Sequence, residues 1–117
     1  MFLTLPHSDF DAYRLSRELV KACYKLSKKL PDSERYGLIQ QIRRASTSVT
    51  INMAEGSSRK SKVERKRYYE ISRGSVVEID TILDLIIDLE YCTMEEIQHM
   101  QDFIVRNFQM LSGMIKA

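Results

Sequence analysis

The sequence is poor in residues that interrupt a helix. It holds four glycines and two prolines in 117 residues. So few breakers leave room for long helices and argue against a turn-rich β fold. Tryptophan is absent, and cysteine occurs only as Cys23 and Cys92, neither of them in a Cys-x-x-Cys pair. Each lies in an apolar stretch, so both read as free thiols buried as small hydrophobes rather than as a disulfide. A long hydrophobic run is also missing. The most apolar stretch, Ile82 to Leu89, is broken by Asp84 and Asp88, whereas a membrane span needs ~20 mostly apolar residues. The opening Met1-Phe2-Leu3-Thr4-Leu5-Pro6 has no basic lead and is too short for a secretory signal. These absences point to a soluble cytoplasmic chain with no membrane association.

What remains is ordinary globular material, 44% hydrophobic and 29% charged. The length suits one domain, spanning residues 1–117 with a short tail at 1–8. It is ample for a core without metals or disulfides, which chains below ~40 residues usually need. The net charge of +2 hides an asymmetry: residues 1–73 hold 16 Lys or Arg against 8 Asp or Glu, and residues 74–117 hold 2 against 8. One part of the molecule should therefore attract anions and another repel them.

Four segments carry a helical period. The first is predicted from about Asp9 to Lys29, entered through Ser8 and Asp11 as a weak capping box. Its apolar face is Phe10, Tyr13, Leu15, Leu19, Val20, Cys23, Leu26 and Leu30, and Pro31 stops it. The second runs from about Glu34 to Glu55 on a core stripe of Leu38, Ile42, Ala45, Val49 and Met53, with Gly56 at the C′ position. The third runs from about Lys62 to Glu90 behind a Ser61–Glu64 capping box, with Val63, Ile71, Ile79, Ile82, Leu83, Ile86 and Leu89 as its apolar side. Gly74 inside it costs about 1 kcal/mol relative to Ala unless another backbone packs closely there. The fourth runs from about Met94 to Ile115 behind a Thr93–Glu96 capping box. It carries Ile97, Ile104, Phe108, Leu111 and Ile115, flanked by Met100, Phe103, Met110 and Met114, a face wide enough for a second contact. Short links favour antiparallel neighbours, so the expected fold is all-α, an up-down-up-down four-helix bundle.

Catalytic chemistry finds little support. Glu96-Ile97-Gln98-His99 has the Glu-x-x-His spacing of di-iron bundles, but such sites need two of these motifs and further Glu residues. The other histidine, His7, lacks a Glu three residues before it. A capping Glu beside an exposed His explains the motif more simply. Ser46-Thr47-Ser48 lies in no nucleophile elbow or phosphate loop and suits close helix approach. Glu55, Glu64 and Glu78 read as ion-pair partners rather than an acid and a base. Neither catalytic residues nor a metal or cofactor are expected.

The densest feature is Arg59-Lys60-Ser61-Lys62-Val63-Glu64-Arg65-Lys66-Arg67, six cations and one anion over a loop and the start of the third helix. It reads as a phosphate-binding surface, which Arg43, Arg44 and Arg73 could extend and on which Tyr68 and Tyr69 could stack bases. No base-reading motif accompanies it, so backbone or shape recognition is expected. The alternative is a solvated helix end with both tyrosines in the core. A polar stripe, Gln41, Arg44, Ser48, Asn52 and Glu55, follows one side of the second helix. Arg44 and Glu55 are three turns apart, so their partners must lie on other helices or subunits, with Arg73 and Glu78 as candidates. The stripe reads as a structural network at an interface.

Arg35-Tyr36-Gly37-Leu38, Gln41, Arg43-Arg44-Ala45, Ser48, Asn52-Met53-Ala54-Glu55-Gly56, Arg59, Ser61, Glu64, Gly74-Ser75 and Glu78 occur in an order and spacing that resembles the four-helix bundle proteins encoded in intervening sequences of bacterial 23S rRNA genes. The similarity spans nearly the whole chain. The accessory variability protein of diversity-generating retroelements looks like a relative on the same fold. The resemblance implies a barrel-shaped homopentamer of up-down bundles, a positively charged surface contacting RNA or DNA, and no enzymatic activity. The departures are mild: Thr50 stands where many relatives have Pro, Met53 where many have Ile, and Tyr68 where Phe is common. An alternative role is an adaptor that docks a partner protein through the Met-rich fourth helix.

Overall fold

The computed structural model describes residues 2–3 and 11–117. The predicted Ser8 cap and the contribution of Phe10 lie outside the described residues. The elements are α1 (Asp11–Ser27), a 3-10 turn (Asp32–Glu34), α2 (Leu38–Ser58), α3 (Lys62–Asp88), α4 (Met94–Ile97) and α5 (Met100–Lys116). α2 packs on α1 and α3, α3 packs on α5, and α5 packs back on α1, which closes the bundle. Cross-helix bonds give the register. Ser57 Oγ meets Tyr69 OH and Ser75 donates to Ser48, so residue numbers rise along α3 as they fall along α2. Likewise Arg43 of α2 reaches Ser27 of α1, and Thr50 reaches Ser16.

The core stripe of α2 is buried as predicted, with Ile42, Val49 and Met53 fully enclosed beside Leu19, Cys23, Val76, Ile79, Ile86, Met100 and Leu111. Small hydroxyl residues let the helices approach. Ser16, Ser27 and Ser46 are buried and donate to carbonyls of their own helices. Ser72 instead donates across the interface to Val49 O at 2.6 Å, tying α3 to α2.

Several local expectations are corrected. α2 begins at Leu38 rather than Glu34, because residues 32–34 form a separate 3-10 turn. There Glu34 caps α2 from outside, its carboxylate accepting from Leu38 N and from the Tyr91 hydroxyl. Both bonds hold the Glu34 carboxyl below its usual range, the Leu38 amide contributing most. Gly56 is not a C′ residue, since α2 continues to Ser58. Its role is space: a Cβ there would stand 2.7 Å from Cε1 of the buried Tyr69 ring. On α3, Val63 and Ile71 are exposed, and the inward positions near them belong to Tyr69, Ser72 and Val76. α3 ends in a Schellman arrangement, Tyr91 N donating to Ile86 O and Glu90 N to Ile87 O. This places Glu90 at φ 61°, a conformation that glycine takes more readily. No other part of the described chain comes within 4 Å of a Cβ built on Gly74.

The fourth segment is not one helix. It breaks at Gln98–His99 between α4 and α5. The buried positions Ile97, Met100, Ile104, Asn107 and Leu111 keep one spacing of three and four across the break, so Asn107 is buried where Phe108 was expected, and Phe108 is 39% exposed under Arg73. No described helix is long and apolar enough to cross a membrane.

Candidate nucleic-acid interface

The α2–α3 loop is short because α2 persists to Ser58 and α3 starts at Lys62. Ser61 caps α3 by accepting from Glu64 N. Two of the six cations of the basic run build this loop. Arg65 Nη1 donates to Arg59 O at 3.1 Å and Lys60 O at 2.7 Å, stapling the loop to the helix that follows it. Arg59 donates from Nη2 to Glu55 Oε2 and to Tyr68 OH, each at 3.1 Å, and its guanidinium lies 4.9 Å from the Tyr68 ring centroid. Its Nε is buried with no hydrogen-bond partner among the described residues. Beneath them, Tyr69 sits in the core, hydrogen-bonded to Ser57 and seated on Gly56.

The other four, Lys60, Lys62, Lys66 and Arg67, are exposed, and their side chains make no ion pair or hydrogen bond with another described residue. Lys62 opens the first turn of α3, and Lys66 and Arg67 follow one turn later. The free amides of a helix N-terminus already carry positive potential, so a cation there opposes the dipole. The arrangement weakens the helix slightly and concentrates positive field at one end of the bundle.

The remaining predicted residues are dispersed. Arg43 and Arg44 lie ~22 Å along α2 from Arg59, at about 1.5 Å per residue. Arg43 is held by Ser27 and by the Tyr24 ring at 5.0 Å on the α1 side, whereas Arg44 is exposed. Arg73 donates to Ser112 and lies over Phe108, both on α5. Of the two tyrosines considered for base stacking, Tyr69 is buried and Tyr68 is covered by Arg59.

The polar stripe divides into parts. Ser48 accepts from Ser75 and Asn52, joining α2 to α3. Glu55 finds its partner on its own helix end, Arg59, rather than on another helix. Gln41, Arg44 and Glu78 are exposed. Arg44 and Glu78 stand one turn beyond the Ser48–Ser75 contact on their respective helices, at one level of the seam, without an ion pair between them.

At the opposite end, Glu96 closes a capping box with Thr93 and sits 4.0 Å from Lys29 Nζ. The hydrogen bonds from the Thr93 amide and hydroxyl lower the Glu96 carboxyl. Among the described residues, no group of three His, Cys, Asp or Glu is placed to hold a metal. Burial pushes the Cys23 thiol up to about 12, which suppresses thiolate chemistry. Sequence reasoning missed the division of labour within the basic run, since charge alone does not show that Arg59 and Arg65 turn back onto the loop.

The family described as 23S rRNA-intervening sequence protein matches residues 8–113. The fold is also similar to the crystal structure of a protein of unknown function from the S23 ribosomal protein family of Bacteroides thetaiotaomicron. The TM-score is 0.82 at 23% identity, over 91% of this chain and 99% of that one. No curated protein matches the chain.

Proposed function

The chain belongs to the 23S rRNA-intervening sequence protein family, and on that premise we propose that it is a non-enzymatic cytoplasmic homo-oligomer, a pentamer as the family resemblance implies, that binds nucleic acid through its basic end. The observation that carries this reading is the set of four cations with unpaired side chains, Lys60 on a loop tied down by Arg59 and Arg65, and Lys62, Lys66 and Arg67 on the first two turns of α3. A charge cluster that works against the α3 dipole has no stabilising role in the monomer, and phosphate is the counter-charge it suits. Arg44 and Glu78, unpaired at one level of the α2–α3 seam, fit an interface where each meets the opposite charge on a neighbouring subunit. Repeating the basic end around a ring would raise avidity without new contacts. Arg43 is a lesser helper, since Ser27 and Tyr24 already engage it.

Fluorescence anisotropy of a labelled RNA hairpin and a DNA duplex, titrated at low and physiological salt, tests this. Binding that weakens steeply with salt supports it. No binding of either at low salt removes it.

A second reading, a protein adaptor, is favoured by one cleft. Asp80 and Asp84 border a recess of about 380 Å³ floored by Leu83, Ile97 and Ile104, beside the exposed Met94. The rest of the methionine-rich face supports it less, because Met100 is fully buried and Met110 and Met114 pack on the core. A pull-down that survives high salt and nuclease treatment would favour the adaptor.

A further inference from the structure

The start of α3 and the end of α5 enclose an open cleft of about 480 Å³, within the ~300–1,000 Å³ typical of small-ligand sites. Lys62, Arg65 and Lys66 border it, and Tyr69, Met114 and Ile115 supply apolar surface. Arg65 is committed to the loop carbonyls, whereas Lys62 and Lys66 are free. Arg67, one residue on, projects about 100° further round the helix. The exposed cations therefore divide, with Lys62 and Lys66 bordering the cleft and Lys60 and Arg67 beside it on the outer surface.

Other recesses lack this combination. The one near Met94 is bordered by Asp80 and Asp84, which repel an anion. The one at the far end sets Lys25 and Lys29 beside Glu96, which is paired with Lys29. Between α1 and α2, Lys21 is already paired with Glu18 and Arg17 lies over the Tyr13 ring.

Free cations over an apolar floor match one part of a nucleic acid in particular. A phosphate needs the cations, and an unstacked base offers an apolar face for the floor. Bases within a duplex are stacked and paired and cannot enter such a cleft, whereas bases in loops, bulges and overhangs can be splayed out. Resting on the nucleic-acid reading above, we infer that this cleft receives an unpaired nucleotide, its phosphate on Lys62 and Lys66 and its base against Met114 and Ile115. The target class is then single-stranded or loop-bearing nucleic acid, and Lys60 and Arg67 hold the adjoining backbone.

The test compares three labelled RNAs at physiological salt: a blunt-ended hairpin closed by a stable tight loop, the same hairpin with a short single-stranded overhang, and that overhang with its bases removed as abasic sites. The overhang should bind about five- to tenfold more tightly than the blunt hairpin, the low end of the range for one base contact. The abasic overhang keeps the phosphates and should lose most of that gain. The M114A/I115A double variant should likewise bind the overhang no better than the blunt hairpin. Its unchanged affinity for the blunt hairpin serves as the folding control. Equal binding of the overhang and its abasic form by the wild-type chain would overturn the inference and leave the nucleic-acid reading intact. No binding of any of the three, even at low salt, would remove both.

Discussion

Replacing Lys60, Lys62, Lys66 and Arg67 together by Ala separates binding from folding more cleanly than removing the whole basic run. The side chains of the four make no ion pair or hydrogen bond among the described residues, so the folded state loses no polar contact with them. Lys62 lies in the first turn of α3, where removing a cation is favourable by about 0.3–1 kcal/mol at low ionic strength. The variant should therefore melt at the wild-type temperature or slightly above it. Its binding should change far more. Each phosphate neutralised contributes about −0.9 to the slope of log K against log salt for duplex DNA, and about −0.7 for single strands. Losing four contacts should flatten the slope by about 3 to 4. That alone corresponds to a roughly hundredfold difference in how affinity changes between 50 and 200 mM salt. Anisotropy titrations at several salt concentrations, with thermal melts followed by circular dichroism, supply both readouts. An unchanged slope in a folded variant would refute the assignment of these side chains to phosphate. A clear loss of thermal stability would refute the claim that they are structurally idle.

Gly56→Ala should lower stability by about 1–3 kcal/mol in chemical denaturation, because the added methyl meets the buried Tyr69 ring. Glu90→Gly should raise stability by up to about 1 kcal/mol, relieving φ 61° and removing an anion from the negative end of α3. Glu34 has its folded-state carboxyl held below 4.5 by Leu38 N and Tyr91 OH, so its stabilising contribution is present above that value and lost as pH falls through the lowered one. Glu34→Gln should therefore reduce the acid dependence of the melting temperature below about pH 4.5. If the proposed oligomer forms through Arg44 and Glu78, Arg44→Glu should shift it toward smaller species in light scattering, and Arg44→Glu with Glu78→Arg should restore it.

Residues whose burial follows a fixed period were legible from the sequence. The α2 stripe is the clearest case, because spacings of three and four from Leu38 to Met53 leave one consistent inward face. The predicted ends failed where tertiary contacts override local signals. Gly56 looked like a helix stop, yet its lack of a side chain is used to seat Tyr69. Ser61 and Thr93 were readable as caps because their bonds are local. The Gln98–His99 break was not, since neither residue is a breaker and the buried positions on either side of it, Ile97 and Met100, keep a helical spacing.

The same contrast governs the basic run. Composition located it, but a count of six cations overstates what is available to a ligand. Arg59 and Arg65 spend their hydrogen-bonding capacity on Glu55, Tyr68 and two loop carbonyls, chemistry for which the multidentate guanidinium is suited and the lysine ammonium is not. Three of the four cations left free are lysines, which act as mobile point charges on long stems. That division favours a surface that follows a backbone rather than one that reads base edges, for which bidentate arginine is the common choice. If the proposed nucleic-acid binding holds, selectivity must come from the shape and pairing state of the strand. On the inference drawn above, the apolar cleft between Lys62, Lys66, Met114 and Ile115 is the part of the basic end that would sense pairing, because it would accept a base only after that base has left its helix.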